Sequence, residues 1–409
     1  MEIEMINGGV TAAKGFSATS TAAEIKYKNR TDMALVYSSV PAKVAGTFTK
    51  NVVKAAPVLW DMDIVKNEEH AQAVILNSGI ANACTSKEGM ETNEAMAKAL
   101  AEALNIPTKS VLTASTGVIG YVLPVDKVTS GAKAMAKTLS DTIEAGTEAA
   151  KAIMTTDTIK KECAVTFTLG GKKVTLGGMS KGSGMIHPDM ATMLCVITTD
   201  AAITKEMLQK AVSADVKDSF NMISVDRDTS TNDSLMVLAN GLAENPVIDC
   251  ENDDYKTFCQ ALAQVTQTLA KIMAGDGEGA TKLFETIVKN AKTKEDAVIL
   301  SKSVITSNLV KTAVYGCDAN WGRIICALGY SGVDFDPEIV DLYIESDGER
   351  IKLVENGKAT DYSEEQATKI LSAKHVTAIA DMKMGTATAT AWGCDLTYDY
   401  VKINGDYRS

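Results

Sequence analysis

The sequence predicts a mixed α/β protein, α/β or α+β in layout, without a regular βαβ period. Three observations carry this expectation. Residues 1–90 read mostly as short strands broken by polar turns. Two alanine-rich stretches, 92–104 and 128–154, carry helical patterning. After about residue 290 a fresh set of helices and strands begins. Runs of each kind in one chain point to layered sheets and helices. The 409 residues, 45% of them apolar, supply a large core, and no internal repeat or low-complexity linker divides the chain.

In order along the chain, 23–29, 33–40 and 44–50 read as short strands. The segment 71–79 is an apolar run ending in turn residues, as a buried strand would be. Between the two helical stretches, 111–121 starts as a strand and runs into a Gly-containing turn, and 163–176 reads as a hairpin joined by Gly-Gly-Lys-Lys. A Gly-rich tract leads into an apolar strand at 194–198. Residues 204–220 are an amphipathic helix with Thr204 as its N-cap. A polar tract separates it from a strand at 235–241, and 253–280 is a long helix ending in a Gly-rich loop. Beyond 290 the pattern gives a helix near 303–312, a strand at 340–346, a helix at 363–374, and strands at 376–381, 384–392 and 395–403.

Composition excludes several functions. Lys and Arg total 41 against 52 Asp and Glu, a net charge of −11, so the basic footprint of a nucleic-acid or anionic-membrane binder is missing. No apolar run reaches membrane-spanning length. The first residues show neither a secretory signal nor an Arg-rich transit peptide, which leads us to expect a cytoplasmic protein. The 8 cysteines include no C-x2-C pair and read as buried free thiols in a reducing compartment. Only His70, His187 and His375 are available, too few for an imidazole-based metal site, so no metal is expected. Aromatic residues make up 5%, low for a protein that stacks bases or sugars.

Four local signals could carry chemistry. Gly178, Ser180 and Gly182 form a G-x-S-x-G, but no helix can start immediately after it, so it reads as a flexible Gly loop. Asp226, Asp228, Ser230 and Asp233 suggest a calcium loop, which fails at Thr231 and Val237; a polar turn or buried hydrogen-bonding network fits better. In the stretch 275–282 Gly279 is followed by Ala280 and Thr281, so the G-K-[ST] of a phosphate loop is absent, leaving Glu278 as either a ligand-binding carboxylate or a solvated surface residue. Thr192 follows a Gly/Ser-rich loop and the small Ala191. If the hydroxyl of Thr192 cut the bond between them, its freed α-amine could act as base for that same hydroxyl. Such a nucleophile needs no histidine.

Segments 8–18, 75–85, 113–120, 219–234, 275–282, 309–324 and 404–409 are each similar, in the same order, to segments of the glutamate/ornithine N-acetyltransferases of arginine biosynthesis, the ArgJ family. The stretch 181–201 resembles that family's self-cleavage and nucleophile segment. The resemblance implies a fold like the N-terminal-nucleophile αββα sandwich with different connectivity, in a core of 1–285, plus a smaller C-terminal α/β domain of 286–409. It implies self-cleavage between Ala191 and Thr192 into an α chain of 1–191 and a β chain of 192–409 that stay associated as an α2β2 heterotetramer.

In the implied reaction Thr192 takes the acetyl group from N2-acetylornithine, releases ornithine and passes the acetyl to glutamate. The small molecules are the partners, no cofactor is required, and acetyl-CoA is a possible alternative donor. Thr116 and Gly117 match the oxyanion positions, a hydroxyl and a backbone N–H being workable donors. Thr155, Lys181, Thr192, Glu278, Asn404 and Ser409 match the substrate-binding positions, with Lys181 and Glu278 as opposite-sign clamps for an amino acid. Asn404 and Ser409 lie at the C-terminus, so that tail must fold back into the site. The sequence departs from the family at Ile80 (usually Asn), Met222 (often Arg), Arg227 (often Gly) and Ser409 (usually Thr).

Overall fold

Residues 3–187 and 193–406 are described by a computed structural model. They fall into two compact units. The first comprises Met1–Gly182, Pro188–Asn221 and Thr229–Leu269; the second comprises Ser183–His187, Met222–Asp228 and Ala270–Ser409.

The first unit runs β1 (Glu4–Ile6), β2 (Phe16–Thr21), β3 (Met33–Phe48), α1 (Ala56–Asn67), β4 (His70–Asn77), α2 (Ser86–Leu104), β5 (Val111–Ser115), α3 (Val125–Met135), α4 (Ile143–Ala152), β6 (Lys161–Leu169), β7 (Lys172–Lys181), β8 (Leu194–Thr199), α5 (Lys205–Asp215), β9 (Ser234–Ala239) and most of α6 (Asp253–Gly275). Its nine strands are ordered β1-β6-β7-β8-β9-β3-β4-β5, with β2 also on β3. The joint is β3, whose first half pairs with β2 and β4 and whose second half pairs with β9.

Packing follows from strands that are apolar on both faces. On β8, Leu194 and Val196 join a core with Leu35, Ile75, Met96, Leu100 and Met135. Its neighbour β7 faces the other way at Gly178, where an added Cβ would lie 3.2 Å from both Ile197 and Leu269 of α6. Helices α1 to α4 pack against the β2–β5 half. Gln209 of α5 bonds the backbone of Gly46 on the second half of β3. Helices thus lie outside both sheet halves, the layered α/β layout the resemblance implies.

The second unit contains β10 (Leu283–Ala291), α7 (Lys294–Ile305), α8 (Asn308–Tyr315), α9 (Trp321–Gly329), β11 (Asp341–Ser346), β12 (Glu349–Glu355), β13 (Lys358–Ala359), α10 (Glu364–Leu371), β14 (His375–Asp381), β15 (Ala387–Cys394) and α11 (Tyr398–Gly405). Its six strands are ordered β13-β12-β11-β14-β10-β15. The units do not divide at 285/286: that position lies inside β10, whose Leu283 already pairs with His375 and Cys394. No single described helix is long and apolar enough to cross a membrane.

Several elements differ from the sequence expectation. Residues 23–29 are not a strand; Asp32 accepts from the N–H groups of Ala23 (2.7 Å) and Ile25 (2.6 Å) and holds the segment in an irregular turn. The strands expected at 33–40 and 44–50 are one, β3, because Pro41 falls where pairing with β4 shifts register and needs no N–H donor. The helix expected at 128–154 is two, since Thr142 caps a new start by accepting from Ala145 N. Gly178 and Ser180 lie in β7 rather than a loop. The strand expected at 395–403 is helix α11, capped by Thr397. Of the cysteines, Cys163, Cys195 and Cys394 are buried, whereas Cys84, Cys250 and Cys326 are exposed.

Candidate active site

In the first unit, the turn after β5 presents Thr116 and Gly117. Gly117 has φ +126°, and a Cβ there would lie 2.3 Å from the carbonyl carbon of Gly79, so only glycine fits. The turn is fastened from below. Thr116 N donates to Asn77 O (3.0 Å) and Ser115 Oγ to Asn77 Oδ1 (2.7 Å). Asn232 Nδ2 donates to the carbonyls of Ser115 (2.8 Å) and Ala81 (2.6 Å). Asn77 Nδ2 reaches Ile80 O at 2.9 Å, so the backbone at this departure from the family is held whatever its side chain.

Lys181, at the end of β7 and 8% exposed, donates from Nζ to Thr116 Oγ1 at 3.2 Å. An ammonium that fills an acceptor site of the hydroxyl leaves its proton to be donated elsewhere. Asp157 lies behind both, its side chain fully buried against Lys161 Nζ at 2.6 Å. It also accepts from Gly182 N (2.7 Å) and Thr155 N (3.0 Å). Burial opposes its ionisation, but the charges of Lys181 and Lys161 and these hydrogen bonds overcome that and bring its carboxyl down to about 2. Three residues matched to the family's site, Thr116, Thr155 and Lys181, are therefore joined through one buried carboxylate and one ammonium.

In the second unit, Glu278 follows the end of α6 and is 5% exposed, which corrects the solvated-surface alternative. Its backbone N–H donates to Ser183 O (3.0 Å), and Asn404 Nδ2 of α11 donates to its Oε2 (2.8 Å). Gly184 makes room for the carboxylate: a Cβ there would lie 2.3 Å from Glu278 Cδ. The loop is tied to the chain before α11, with Thr281 N on Asp395 Oδ1 (2.8 Å) and Thr397 Oγ1 on Gly279 O (2.7 Å). Asp226, from the polar tract, accepts from Met185 N (2.7 Å), Ile186 N (2.9 Å) and the Tyr400 hydroxyl (3.3 Å). Burial and the Asp226 charge raise the Tyr400 phenol. The tract is thus a hydrogen-bonding network, and among the described residues no group of three His, Cys, Asp or Glu side chains is placed to hold a metal ion.

Ala191, Thr192 and Ser409 lie outside the described residues. Asp157, Lys161, Asn77, Asn232 and Gly184 were not singled out from sequence. No motif marks them: Asp157, Asn77 and Asn232 bond residues far along the chain, Gly184 acts through the space it leaves, and Lys161 serves Asp157 four residues before it.

The sequence model of the ArgJ family matches residues 17–409. An arginine biosynthesis bifunctional protein ArgJ from Caldanaerobacter subterraneus subsp. tengcongensis is 50% identical over 407 residues, covering 100% of both chains. The protein of the same name from Thermotoga neapolitana is 51% identical over 397 residues, 97% of this chain and 99% of the other. Among solved structures, a crystal structure of the Bacillus halodurans arginine biosynthesis bifunctional protein argJ is 48% identical, with a TM-score of 0.49 over 51% of this chain and 96% of its own.

Proposed function

We propose that this chain, which belongs to the ArgJ family, is a self-cleaving acetyltransferase that moves the acetyl group of N2-acetylornithine to glutamate. The observation that carries the reading is the buried contact of Lys181 Nζ with Thr116 Oγ1 at 3.2 Å beside the glycine-only turn at Gly117. A hydroxyl whose acceptor side is occupied by a cation is a prepared donor for a developing oxyanion.

In this reading the Thr192 hydroxyl first attacks the carbonyl of Ala191. The peptide becomes an ester, water hydrolyses it, and Thr192 is left with a free α-amine. That amine then takes the hydroxyl proton as Thr192 attacks the acetyl carbonyl, and hands it to the departing amine of ornithine. The amine of glutamate attacks the acetyl-Thr192 ester and regenerates the hydroxyl. Thr116 and Gly117 hold the oxyanion in each step. Thr155, Lys181, Glu278, Asn404 and Ser409 bind the amino-acid substrates, and the 1–191 and 192–409 chains remain associated, as an α2β2 heterotetramer. No cofactor takes part; acetyl-CoA serves as a second acetyl donor.

The purified protein is expected to run as two fragments on a denaturing gel and Thr192→Ala as one. Labelled acetyl should pass from acetylornithine to glutamate. Release of free acetate with no acetylglutamate would replace the transferase by an amidase. Two fragments from Thr192→Ala would remove the nucleophile.

A further inference from the structure

The chain has five arginines among its 41 basic residues, the rest being lysine, and two of the five line one hollow in the second unit. That hollow, about 340 Å³, has Arg227, Arg323 and Tyr330 in its lining. Its size is at the low end of small-molecule sites. Arg323 is braced by Nη1 bonds to Leu309 O (2.9 Å) and Thr312 Oγ1 (3.3 Å), which fix the guanidinium plane against α8. Among the described residues no carboxylate pairs with either guanidinium.

Arg227 is held in the left-handed region at φ +71°, where a residue with a Cβ is strained and glycine is not. Asp226 fixes that turn by accepting from the N–H groups of Met185 (2.7 Å) and Ile186 (2.9 Å). A strained, exposed arginine lines the same hollow as a second one, on a chain of net charge −11. Arginine differs from the lysine used elsewhere in offering a planar fork that grips phosphate through two bonds at once. Tyr330, 61% exposed, offers an aromatic face at the same hollow.

We propose that the Arg227–Arg323 hollow is a binding site for a pyrophosphate-bearing nucleotide, its phosphates on the two guanidiniums and its base on Tyr330. Free ADP and the ADP end of a coenzyme share this chemistry. The proposal does not rest on the acetyl-transfer reading, because binding is read without turnover.

The test is calorimetric titration of the full-length protein with ADP, pyrophosphate, adenosine and coenzyme A. ADP and pyrophosphate should bind and adenosine should not. Arg227→Gly suits the observed φ, so its melting temperature should hold or rise while ADP affinity falls roughly 10- to 100-fold. Arg323→Met should weaken ADP in the same range. Coenzyme A competing with ADP at similar affinity identifies the coenzyme as the source; ADP binding with coenzyme A excluded identifies the free nucleotide. The proposal is overturned if neither ADP nor pyrophosphate binds, or if both variants bind ADP as the wild type does.

Discussion

Replacing Asp157 by Asn tests a buried side chain of the first unit that accepts three hydrogen bonds. The substitution keeps the shape and removes the charge. Lys161, fully buried with its ammonium 2.6 Å from the carboxylate, would lose its counter-ion. Breaking such a pair from one side costs about 3–5 kcal/mol, because the remaining charge is buried and uncompensated. At ~2 °C per kcal/mol for a chain of this size, the melting temperature should fall by roughly 6–10 °C. The pH dependence carries a second signature. The Asp157 carboxyl sits at about 2 when folded, below its ordinary 3.8, so the folded state binds the proton less readily than the unfolded one. Its stabilisation, about 2 kcal/mol, is complete above pH 4 and is lost as pH falls towards 2. Thermal and urea melts of both proteins between pH 2.5 and 7 measure this. The gap between them should be widest near neutrality and shrink in acid. A variant that melts with the wild type at pH 7 would refute the buried pair.

Gly117→Ala should abolish acetyl transfer and lower stability by more than about 2 kcal/mol, since its Cβ would meet the Gly79 carbonyl carbon at 2.3 Å with φ at +126°; normal activity would show that this turn does not hold the oxyanion. Gly184→Ala drives a methyl to 2.3 Å from Glu278 Cδ and should raise KM for acetylornithine at least tenfold while the fold survives; unchanged kinetics would separate Glu278 from substrate binding. Asp215 is half-buried, and the desolvation of its carboxyl pushes it up to about 7, above its ordinary 3.8. The folded state therefore holds a proton the unfolded state has lost, and stability falls as pH rises from about 4 to 7, by on the order of 4 kcal/mol; Asp215→Asn should flatten that limb in melts, and an unchanged slope would count against a protonated Asp215.

What the sequence made legible is what short-range physics decides. The buried strands β4, β8 and β9 announce themselves because both faces are apolar, so no alternation has to be found. Gly170 and Gly171, with φ of +51° and +80°, mark the β6–β7 turn, and Thr204 marks the start of α5. The errors arise where two signals compete. Tyr398, Tyr400 and Val401 have strand propensity, yet Thr397 starts a helix there, and none of its residues is buried to impose a helical period. At the site, Thr116 and Lys181 could be named only by resemblance, and Glu278 stood in the sequence as one of two alternatives. What holds them is nonlocal: Asp157 lies 25 residues from the Gly182 N–H it accepts, and Asn232 lies 117 residues from the Ser115 carbonyl it grips.

The Asp157–Lys161 pair also separates stability from function. A buried ion pair is often no more stabilising than apolar residues of the same volume. Holding the fold is therefore a weak reason for it, and its other bonds supply a better one. Asp157 accepts from Thr155 N and Gly182 N, and its charge faces Lys181, whose Nζ reaches Thr116. An apolar pair would fill the space, leave those two N–H groups without this acceptor and remove a negative charge that faces Lys181. The double variant Asp157→Asn with Lys161→Met makes the distinction measurable. It removes both charges together, so most of the lost melting temperature should return. Acetyl transfer should stay at least tenfold below wild type, because the negative charge that faces Lys181 is still gone. Recovery of activity together with stability would show that Asp157 serves only to neutralise Lys161.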